Sequence, residues 1–315
     1  MDKIDLSFVS CPNCKTSDLV QVGDFFKCLS ADCLHNQRDF WFSSKNKIPI
    51  LISDTTCDTV CNPKNIKSLV NRVKPRSIGY LIRKFTRRES QVTKSNCLRF
   101  LDLLSSSNKC PHVLIIGSGE RGAGMDNLYT SKEISITGTD VYLSENVQYI
   151  SDAHYLPFKE SSFDGVWIQA VLEHVVDPNM VVGEIFRVLK PDGYVYSETP
   201  FMQQVHEGAF DFTRYTVLGH RYLFKNFKAL DIGGNGGVGI VLEWSIKHFI
   251  WSITRSKWMA RFISIPLGLI FKAVEKLADE RSLYDSSSGV YFLGKKSNKT
   301  ISHKDLLTLY KGFQK

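Results

Sequence analysis

The chain has 315 residues and is 43% hydrophobic, so it can bury a sizeable core and is expected to contain more than one domain. It has no run of 18 uncharged apolar residues, and its start lacks the apolar segment of a secretory signal. These features predict a cytoplasmic protein without a transmembrane helix. The formal net charge of +8 is concentrated between Lys64 and Lys94, where ten Lys or Arg residues accompany a single Glu.

This basic segment has two interpretations. It can be the solvated face of a helix, or it can contact an anionic partner such as a membrane surface, a phosphorylated substrate or nucleic acid. Nucleic acid is the least favoured of these partners. The oligomeric state is left open.

Residues 1–53 are predicted to form a small metal module. Cys11-Pro-Asn-Cys14 is a C-x₂-C pair, and Cys28 and Cys33 form a second pair after 13 intervening residues. In a reducing compartment such cysteines favour a metal over disulfides, and four thiolates suit a tetrahedral, structural Zn²⁺. The wider second pair leaves room for a substitute ligand. The candidates are His35, Cys57 and Cys61.

Residues 54–109 are predicted to be a basic helical connector. Apolar residues recur at helical spacing in three places, which predicts three amphipathic helices. They lie around residues 66–73, around residues 78–85 and at Cys97–Leu104.

A buried parallel strand is predicted at residues 112–116, and it turns directly into a glycine loop. Gly117, Gly119 and Gly122 fit the G-x-G-x-x-G spacing, which permits close approach of a ligand to the backbone. The loop alone does not separate a dinucleotide from a nucleoside. A second strand at residues 134–140 ends in Asp140, which is placed to accept hydrogen bonds from ribose hydroxyls.

Three further motifs follow in order, at residues 149–158, 162–175 and 184–200. The whole series over residues 111–200 resembles the class I S-adenosylmethionine (SAM)-dependent methyltransferases, in their small-molecule branch. The N-terminal module resembles the zinc ribbons that precede some of these enzymes. The resemblance implies an α/β, Rossmann-like fold over residues 110–315, with a seven-stranded, mostly parallel sheet and a helical cover.

The resemblance also implies a cofactor site. The glycine loop would lie under SAM, Asp140 would hold the ribose, and further residues would flank the adenine and the sulfonium. The implied residues are Gly117, Ser118, Gly119, Asp140, Asp152, Ala153 and Gln169. Asp140 and Asp152 could instead cap the turns that follow them. The family often has an acidic residue two positions before the first glycine, where this chain has Ile115.

The catalytic base is sought beyond the fourth and fifth strands, because open α/β sheets bind ligands at the carboxyl ends of their strands. His206 is favoured, and His174 is the second candidate, although it could cap a helix. Three other residues are candidates by position alone. These are Asp211, Arg214 and Tyr215.

Two closing strands are predicted at residues 227–232 and 289–294, with a helical insertion at about 236–282. The insertion carries several tryptophans and basic residues, so it is either a lid over the substrate or a membrane-binding surface. The predicted function is transfer of a methyl group from SAM to a small-molecule, sugar or lipid-linked acceptor. An NAD-dependent oxidoreductase has only the glycine spacing in its favour. The other alternative is a catalytically silent SAM-fold module that recruits a partner through its zinc ribbon and basic helices.

Overall fold

The computed structural model describes residues 5–22, 25–33, 40–41, 48–52, 90–275 and 277–314. Most of the basic segment, the two helices predicted around residues 66–85, and His35, Cys57 and Cys61 lie outside these residues. The chain divides into two compact units. The first comprises Met1–Ile168 and Asp177–Tyr194, and the second comprises Gln169–Val176 and Val195–Lys315.

The first unit begins with a small antiparallel sheet of three strands. Strand β1 (Leu19–Val22) pairs with β2 (Phe25–Cys28), and β2 pairs with β3 (Phe40–Trp41). The segment before β1 packs on the rest of the unit. Phe8 lies among aromatic rings, with its centroid 5.8 Å from that of Phe158 and 5.7 Å from that of Phe163.

The main sheet has seven strands in the order β6-β5-β4-β7-β8-β10-β9. The strands are β4 (His112–Ile116), β5 (Ser135–Asp140), β6 (Tyr149–Ile150), β7 (Phe163–Gln169), β8 (Leu189–Pro200), β9 (Phe227–Asn235) and β10 (Gly289–Lys296). Strands β4 to β7 pair in parallel, whereas β9 and β10 pair antiparallel. The predicted seven-stranded, mostly parallel, Rossmann-like sheet is therefore confirmed.

Three helices belong to the first unit's described residues: α1 (Gln91–Ser105), α2 (Asp126–Thr130) and α3 (Pro178–Val188). The helix predicted at Cys97–Leu104 lies within α1, which buries Phe100 against Trp167 with ring centroids 5.5 Å apart. Ile115 is buried in β4, so the position where the family often has an acid is part of the core here.

Glu184 and Arg187 form the structural ion pair that their spacing on α3 predicts. Arg187 Nη2 lies 2.8 Å from Glu184 Oε2, and Lys15 Nζ lies 2.7 Å from the other carboxylate oxygen. Arg187 also donates to the backbone oxygens of Leu156 and Phe158. The pair therefore ties α3 to the N-terminal segment and to the loop before β7.

The second unit contains β9, β10 and the helices α4 (Val217–Leu223), α5 (Val238–Thr254), α6 (Lys257–Glu275), α7 (Ser282–Ser286) and α8 (His303–Thr308). The predicted closing strands lie within β9 and β10. The predicted helical insertion contains α5 and α6, which form a hairpin joined at Arg255, a residue in the left-handed region at φ 52°. In the part of the chain that the structure describes, no helix combines the length and apolarity needed to cross a membrane.

Candidate functional site

Four cysteines of the N-terminal segment converge, and we call them the cysteine cluster: Cys11, Cys14, Cys28 and Cys33. Their Sγ atoms all lie within 4.8 Å of one another, with Cys11 and Cys33 at 3.8 Å and Cys14 and Cys28 at 3.7 Å. A tetrahedral Zn²⁺ with zinc–sulfur bonds of about 2.3 Å has sulfur–sulfur edges of about 3.8 Å. The donor set therefore fits Zn²⁺, and four thiolates leave no position open for water or substrate.

Local backbone geometry brings these sulfurs together. Cys11 and Cys14 lie in a tight turn, in which the N–H of Lys15 donates to the Cys11 oxygen at 2.8 Å. Lys15 itself is left-handed, at φ 59°. Cys28 ends β2, and the N–H of Cys33 donates to the Ser30 oxygen in the turn that follows. Each pair thus depends on its own short turn.

The glycine loop folds closely over the ends of β4 and β5. Gly117 is left-handed at φ 78°, and its N–H donates to the Thr139 oxygen, as does the N–H of Ser118. A Cβ atom on Gly119 would collide with the ring of Tyr142. Glycine is therefore favoured at both positions, by backbone conformation at Gly117 and by the close Tyr142 side chain at Gly119.

Asp140 ends β5 beside this loop, and its side chain is buried. Its Oδ2 accepts from the N–H of Gly119 at 2.8 Å, and its Oδ1 accepts from the N–H of Val141 at 2.7 Å. Asp140 therefore does cap the backbone beside it, which was one of the two roles that the sequence allowed. A carboxylate has about four acceptor positions, so capping leaves capacity for ribose hydroxyls. The loop and the carboxylate together fit the nucleoside part of SAM.

Asp152 and Ala153 lie at the start of a short 3₁₀ turn, Ala153–Tyr155. Asp152 Oδ1 accepts from the N–H of His154 at 2.9 Å and lies 2.6 Å from His154 Nδ1. His154 Nε2 accepts from the N–H of Asp177, so we assign the ring proton to Nδ1 from this network. Asp152 therefore caps its turn, and its contact with adenine stays a prediction.

Gln169 is the first residue of the second unit. Its Nε2 lies 3.4 Å from Glu198 Oε1, and Glu198 Oε2 accepts from the hydroxyl of Tyr196. The next residue, Ala170, is left-handed at φ 55°, which costs a non-glycine residue about 1–2 kcal/mol. Such strain is concentrated at functional sites, and here it turns the chain sharply as it leaves β7.

The second unit brings His174 and His206 together with a third residue, Glu173, and we call these three the Glu–His cluster. Glu173 Oε1 lies 3.7 Å from His174 Nε2 and 4.0 Å from His206 Nε2. The Glu173 side chain is only 1% exposed. Sequence reasoning missed Glu173. The available signal was an acidic residue next to a histidine just beyond a buried strand, at the carboxyl edge of the sheet.

Both imidazoles are held so that their Nε2 atoms face Glu173. His174 Nδ1 donates to the Phe210 backbone oxygen at 2.7 Å, and His206 Nδ1 lies 3.1 Å from Asp211 Oδ2. Asp211 in turn forms an ion pair with Arg214, whose Nη2 is 2.7 Å from Oδ2. These partners assign the ring protons to Nδ1 and leave Nε2 as the acceptor on each ring.

The electrostatics of the cluster are unusual. Burial raises the pKa of Glu173 to about 8, whereas the hydrogen bond from Arg214 lowers the pKa of Asp211 to about 2. Burial, with the neighbouring His174, lowers the pKa of His206. Glu173 Oε2 accepts from the Thr199 hydroxyl at 3.2 Å, but Oε1 has no hydrogen bond within the described residues. The cluster can therefore exchange a proton or coordinate a cation.

The three other residues that were candidates by position have different surroundings. Asp211 and Arg214 support His206, as described above. Tyr215 lies instead against His220, with ring centroids 6.0 Å apart, and His220 donates to or accepts from the Ser197 hydroxyl at 3.0 Å.

Comparison with known proteins agrees with the fold. Residues 117–197 match the family described as "Methyltransferase domain". A ubiquinone/menaquinone biosynthesis C-methyltransferase, UbiE, of Saccharophagus degradans is 34% identical over 82 residues, which are 25% of this chain and 33% of that protein. A demethylmenaquinone methyltransferase of Lactobacillus johnsonii is 52% identical over 44 residues, which are 14% of this chain and 18% of that protein. The chain therefore spans a third or less of the length of these curated relatives.

Two solved structures are also similar. A SAM-dependent methyltransferase from Archaeoglobus fulgidus has a TM-score of 0.43 and 17% identity, covering 70% of this chain and 100% of that chain. A Haemonchus contortus phosphoethanolamine N-methyltransferase 2, solved with SAM, has a TM-score of 0.40 and 18% identity, covering 64% of this chain and 52% of that chain. The seven-stranded sheet has the Rossmann-like fold of class I methyltransferases, and the family match lies within it.

Proposed function

We propose that the protein transfers a methyl group from SAM to a small-molecule, sugar or lipid-linked acceptor. The observation that carries this proposal is the contact between the glycine loop and Asp140. A buried carboxylate at the end of β5 accepts a hydrogen bond from the N–H of Gly119, in a loop where Gly117 is left-handed at φ 78°. This arrangement suits a nucleoside with ribose hydroxyls.

SAM, when bound, supplies a methyl group that its sulfonium already activates. The chain's own residues then have to bind and orient the reactants, which contributes on the order of 7–11 kcal/mol. In our proposal, Gly117, Ser118 and Gly119 support the nucleoside and Asp140 binds its ribose. Asp152 with Ala153 flanks the adenine, and Gln169 contacts the sulfonium end.

We infer that the acceptor is bound by the second unit. In the neutral tautomer that their Nδ1 partners favour, His206 and His174 present Nε2 as an acceptor, and His206 is held in this orientation by the Asp211–Arg214 ion pair. Such an Nε2 atom can take a proton from a hydroxyl or amine as it becomes methylated. His206 is the better placed of the two to meet an acceptor, because its side chain is the more exposed.

A silent SAM-fold module is the second candidate. The observation in its favour is Ile115, a buried apolar residue where the family often has an acid. Isothermal titration with SAM and with NAD, followed by incubation of a lysate with labelled SAM and the pure protein, separates the candidates. Methyl incorporation supports the enzyme. SAM binding with no incorporation supports the silent module, and binding of NAD alone contradicts both.

We further propose that the cysteine cluster binds one structural Zn²⁺. Two of the sulfur–sulfur distances, 3.8 Å and 3.7 Å, match the edges of a zinc–thiolate tetrahedron, and all four sulfurs lie within 4.8 Å of one another. Zinc binding would then contribute to the local folding free energy, in addition to the burial of Val9, Leu19 and Phe26.

The hairpin of α5 and α6 supports a peripheral membrane location. Several of its large apolar side chains face solvent, including Phe249, Trp258 and Phe262 at 65%, 71% and 67% exposure. Trp258 and Phe262 stack in parallel, and Arg255 and Lys257 lie at the hairpin turn. A lid packed over substrate would bury these rings. We therefore favour contact with an anionic membrane surface, where aromatic insertion and basic residues both contribute.

Flotation with liposomes tests this location. Binding to anionic but not neutral vesicles, with loss at high salt, is the expected result. The variant Trp258→Ser with Phe262→Ser should float less, whereas Leu307→Ser, an exposed change on α8, should float like the parent protein. Absence of binding at low salt would contradict the proposal.

A further inference from the structure

The Glu–His cluster contains an arrangement that proton transfer alone does not require. The Nε2 atoms of His174 and His206 lie 3.7 Å and 4.0 Å from Glu173 Oε1, and each of the three residues has a potential ligand atom within 4.8 Å of one on each of the others. Glu173 Oε1 is buried and has no hydrogen bond within the described residues, since both imidazoles are beyond hydrogen-bond reach at 3.7 Å and 4.0 Å. A buried polar oxygen without a hydrogen-bond partner is destabilising unless another group satisfies it.

We propose that Glu173, His174 and His206 bind a divalent cation. Ligand bonds of about 2.1 Å around a tetrahedral ion place neighbouring ligand atoms about 3.4 Å apart. The observed separations of 3.7 Å and 4.0 Å are slightly larger, so small side-chain movements would complete the site. The ion would displace any proton on Glu173 and satisfy Oε1, which has no hydrogen-bond partner within the described residues.

The surroundings of the two imidazoles support metal ligation. A histidine that binds a metal through one ring nitrogen usually donates the other N–H to a carboxylate or a backbone oxygen. His206 has the carboxylate, Asp211, and His174 has the backbone oxygen of Phe210. Asp211 is itself fixed by Arg214, which also donates to the Gln203 and Thr213 oxygens. Both rings are thus held in the tautomer that leaves Nε2 free to coordinate.

The donor set indicates the class of metal. Two imidazoles and one carboxylate suit Zn²⁺, Fe²⁺ or Mn²⁺, in contrast to the soft thiolates of the cysteine cluster. Three protein ligands leave at least one coordination position open, as in sites that bind substrate. If the proposed methyl transfer is correct, that position would take an oxygen of the acceptor and favour its deprotonated form. With the ion bound, the Nε2 lone pairs of both histidines form ligand bonds, so the metal would replace His206 as the group that promotes deprotonation of the acceptor. Metal binding itself does not depend on that function.

Titration with Mn²⁺ alone tests the site without relying on activity. Free Mn²⁺ has an electron paramagnetic resonance signal that is lost on binding, and Mn²⁺ prefers nitrogen and oxygen ligands to thiolates. We expect about one Mn²⁺ to bind per chain. Glu173→Gln and His206→Gln should weaken binding about tenfold or more, and Asp211→Asn should weaken it by about 10-fold through loss of His206 orientation.

Two variants control for unrelated effects. His303→Gln removes an exposed histidine of the same unit, and Cys11→Ser disrupts the cysteine cluster. Both should bind Mn²⁺ like the parent protein. Circular dichroism and SAM titration of each variant show whether it is folded. Glu173→Gln is nearly isosteric, and His206 is partly exposed, so both variants should remain folded.

Three results would overturn the proposal. These are no Mn²⁺ binding by the folded parent protein, binding that Glu173→Gln and His206→Gln leave unchanged, and binding that disappears in Cys11→Ser. If SAM is bound and methyl is transferred but the folded protein binds no Mn²⁺, the proposed function stands and the metal site is rejected. If Mn²⁺ binds as expected but SAM does not, the metal site stands and the proposed function is rejected.

Discussion

The cysteine cluster and the Glu–His cluster place potential metal ligands together in different ways. The four cysteines lie within 22 residues of one another, on two short turns that each supply a pair. In the Glu–His cluster, Glu173 and His174 are adjacent in sequence, whereas His206 comes from the segment after β8. The Asp211–Arg214 ion pair holds the His206 ring in place. The first donor set consists of soft thiolates and would be closed to substrate with zinc bound, whereas the second combines imidazole and carboxylate and would leave a coordination position open in the proposed site. The spacing of residues in the sequence can predict a site formed by local turns, but it does not predict a site whose residues lie on either side of a strand.

The largest expected effect concerns the cysteine cluster. Cys11→Ser should abolish zinc binding, because a structural site binds with roughly 10–16 kcal/mol of apparent free energy and needs all of its thiolates. Elemental analysis of purified protein should show loss of zinc from this cluster, while the matched change Cys110→Ser, at an exposed cysteine, keeps it. SAM affinity should persist in both. If Cys28 and Cys33 prove dispensable while Cys57 and Cys61 do not, our ligand assignment is wrong.

The next effect concerns the Asp211–Arg214 ion pair, which supports His206 in the Glu–His cluster. Asp211→Ala removes the carboxylate that pairs with the largely buried guanidinium of Arg214. Because a buried charge is then left unpaired, the substitution should lower the free energy of unfolding by about 3 kcal/mol. Chemical denaturation measures this change. Asp279→Ala breaks a comparable but solvent-exposed pair with Arg281 and should leave stability nearly unchanged. Equal effects of the two substitutions would show that Asp211 does not anchor the cluster.

A smaller effect is expected at the glycine loop, which resembles the cysteine cluster in being readable from sequence. Asp140→Ala removes charge-assisted hydrogen bonds to the ribose and should weaken SAM binding by roughly 1.5–3 kcal/mol. Isothermal titration measures the change, with Asp102→Ala, an exposed position on α1, as the control. Unchanged affinity in a folded Asp140→Ala protein would remove Asp140 from the site and leave it as a cap of Gly119.

The smallest effect concerns pH and a histidine that belongs to neither cluster. Burial lowers the pKa of His220 to about 3, below its unfolded value near 6.5, so the unfolded chain takes up the proton first. Stability from this residue is complete above pH 6.5 and declines as pH falls, by up to about 2 kcal/mol between pH 7 and pH 5. His220→Gln should flatten that decline in thermal unfolding, and His303→Gln should not. A decline of the same slope in His220→Gln would contradict the assignment.

Much of the fold follows from local pattern. The apolar run of β4 into Gly117, the helical spacing within α1 and the pairing of Glu184 with Arg187 each depend on residues close in sequence. Hydrophobic periodicity and turn chemistry act over such distances, so these features could be predicted. The contact of Phe8 with Phe158 could not, because nothing in either segment specifies the other.

The sequence by itself determined the strand–glycine–carboxylate series, the cysteine pairs and the fold class, because their spacing restricts what the backbone can do. Only the tertiary structure decided that Glu173 is buried and that the imidazoles of His174 and His206 both lie next to its carboxylate. It also showed that Asp140 and Asp152 already cap the backbone beside them. The physical reason is that burial raises the energy of charged groups, and that burial depends on how distant segments pack together.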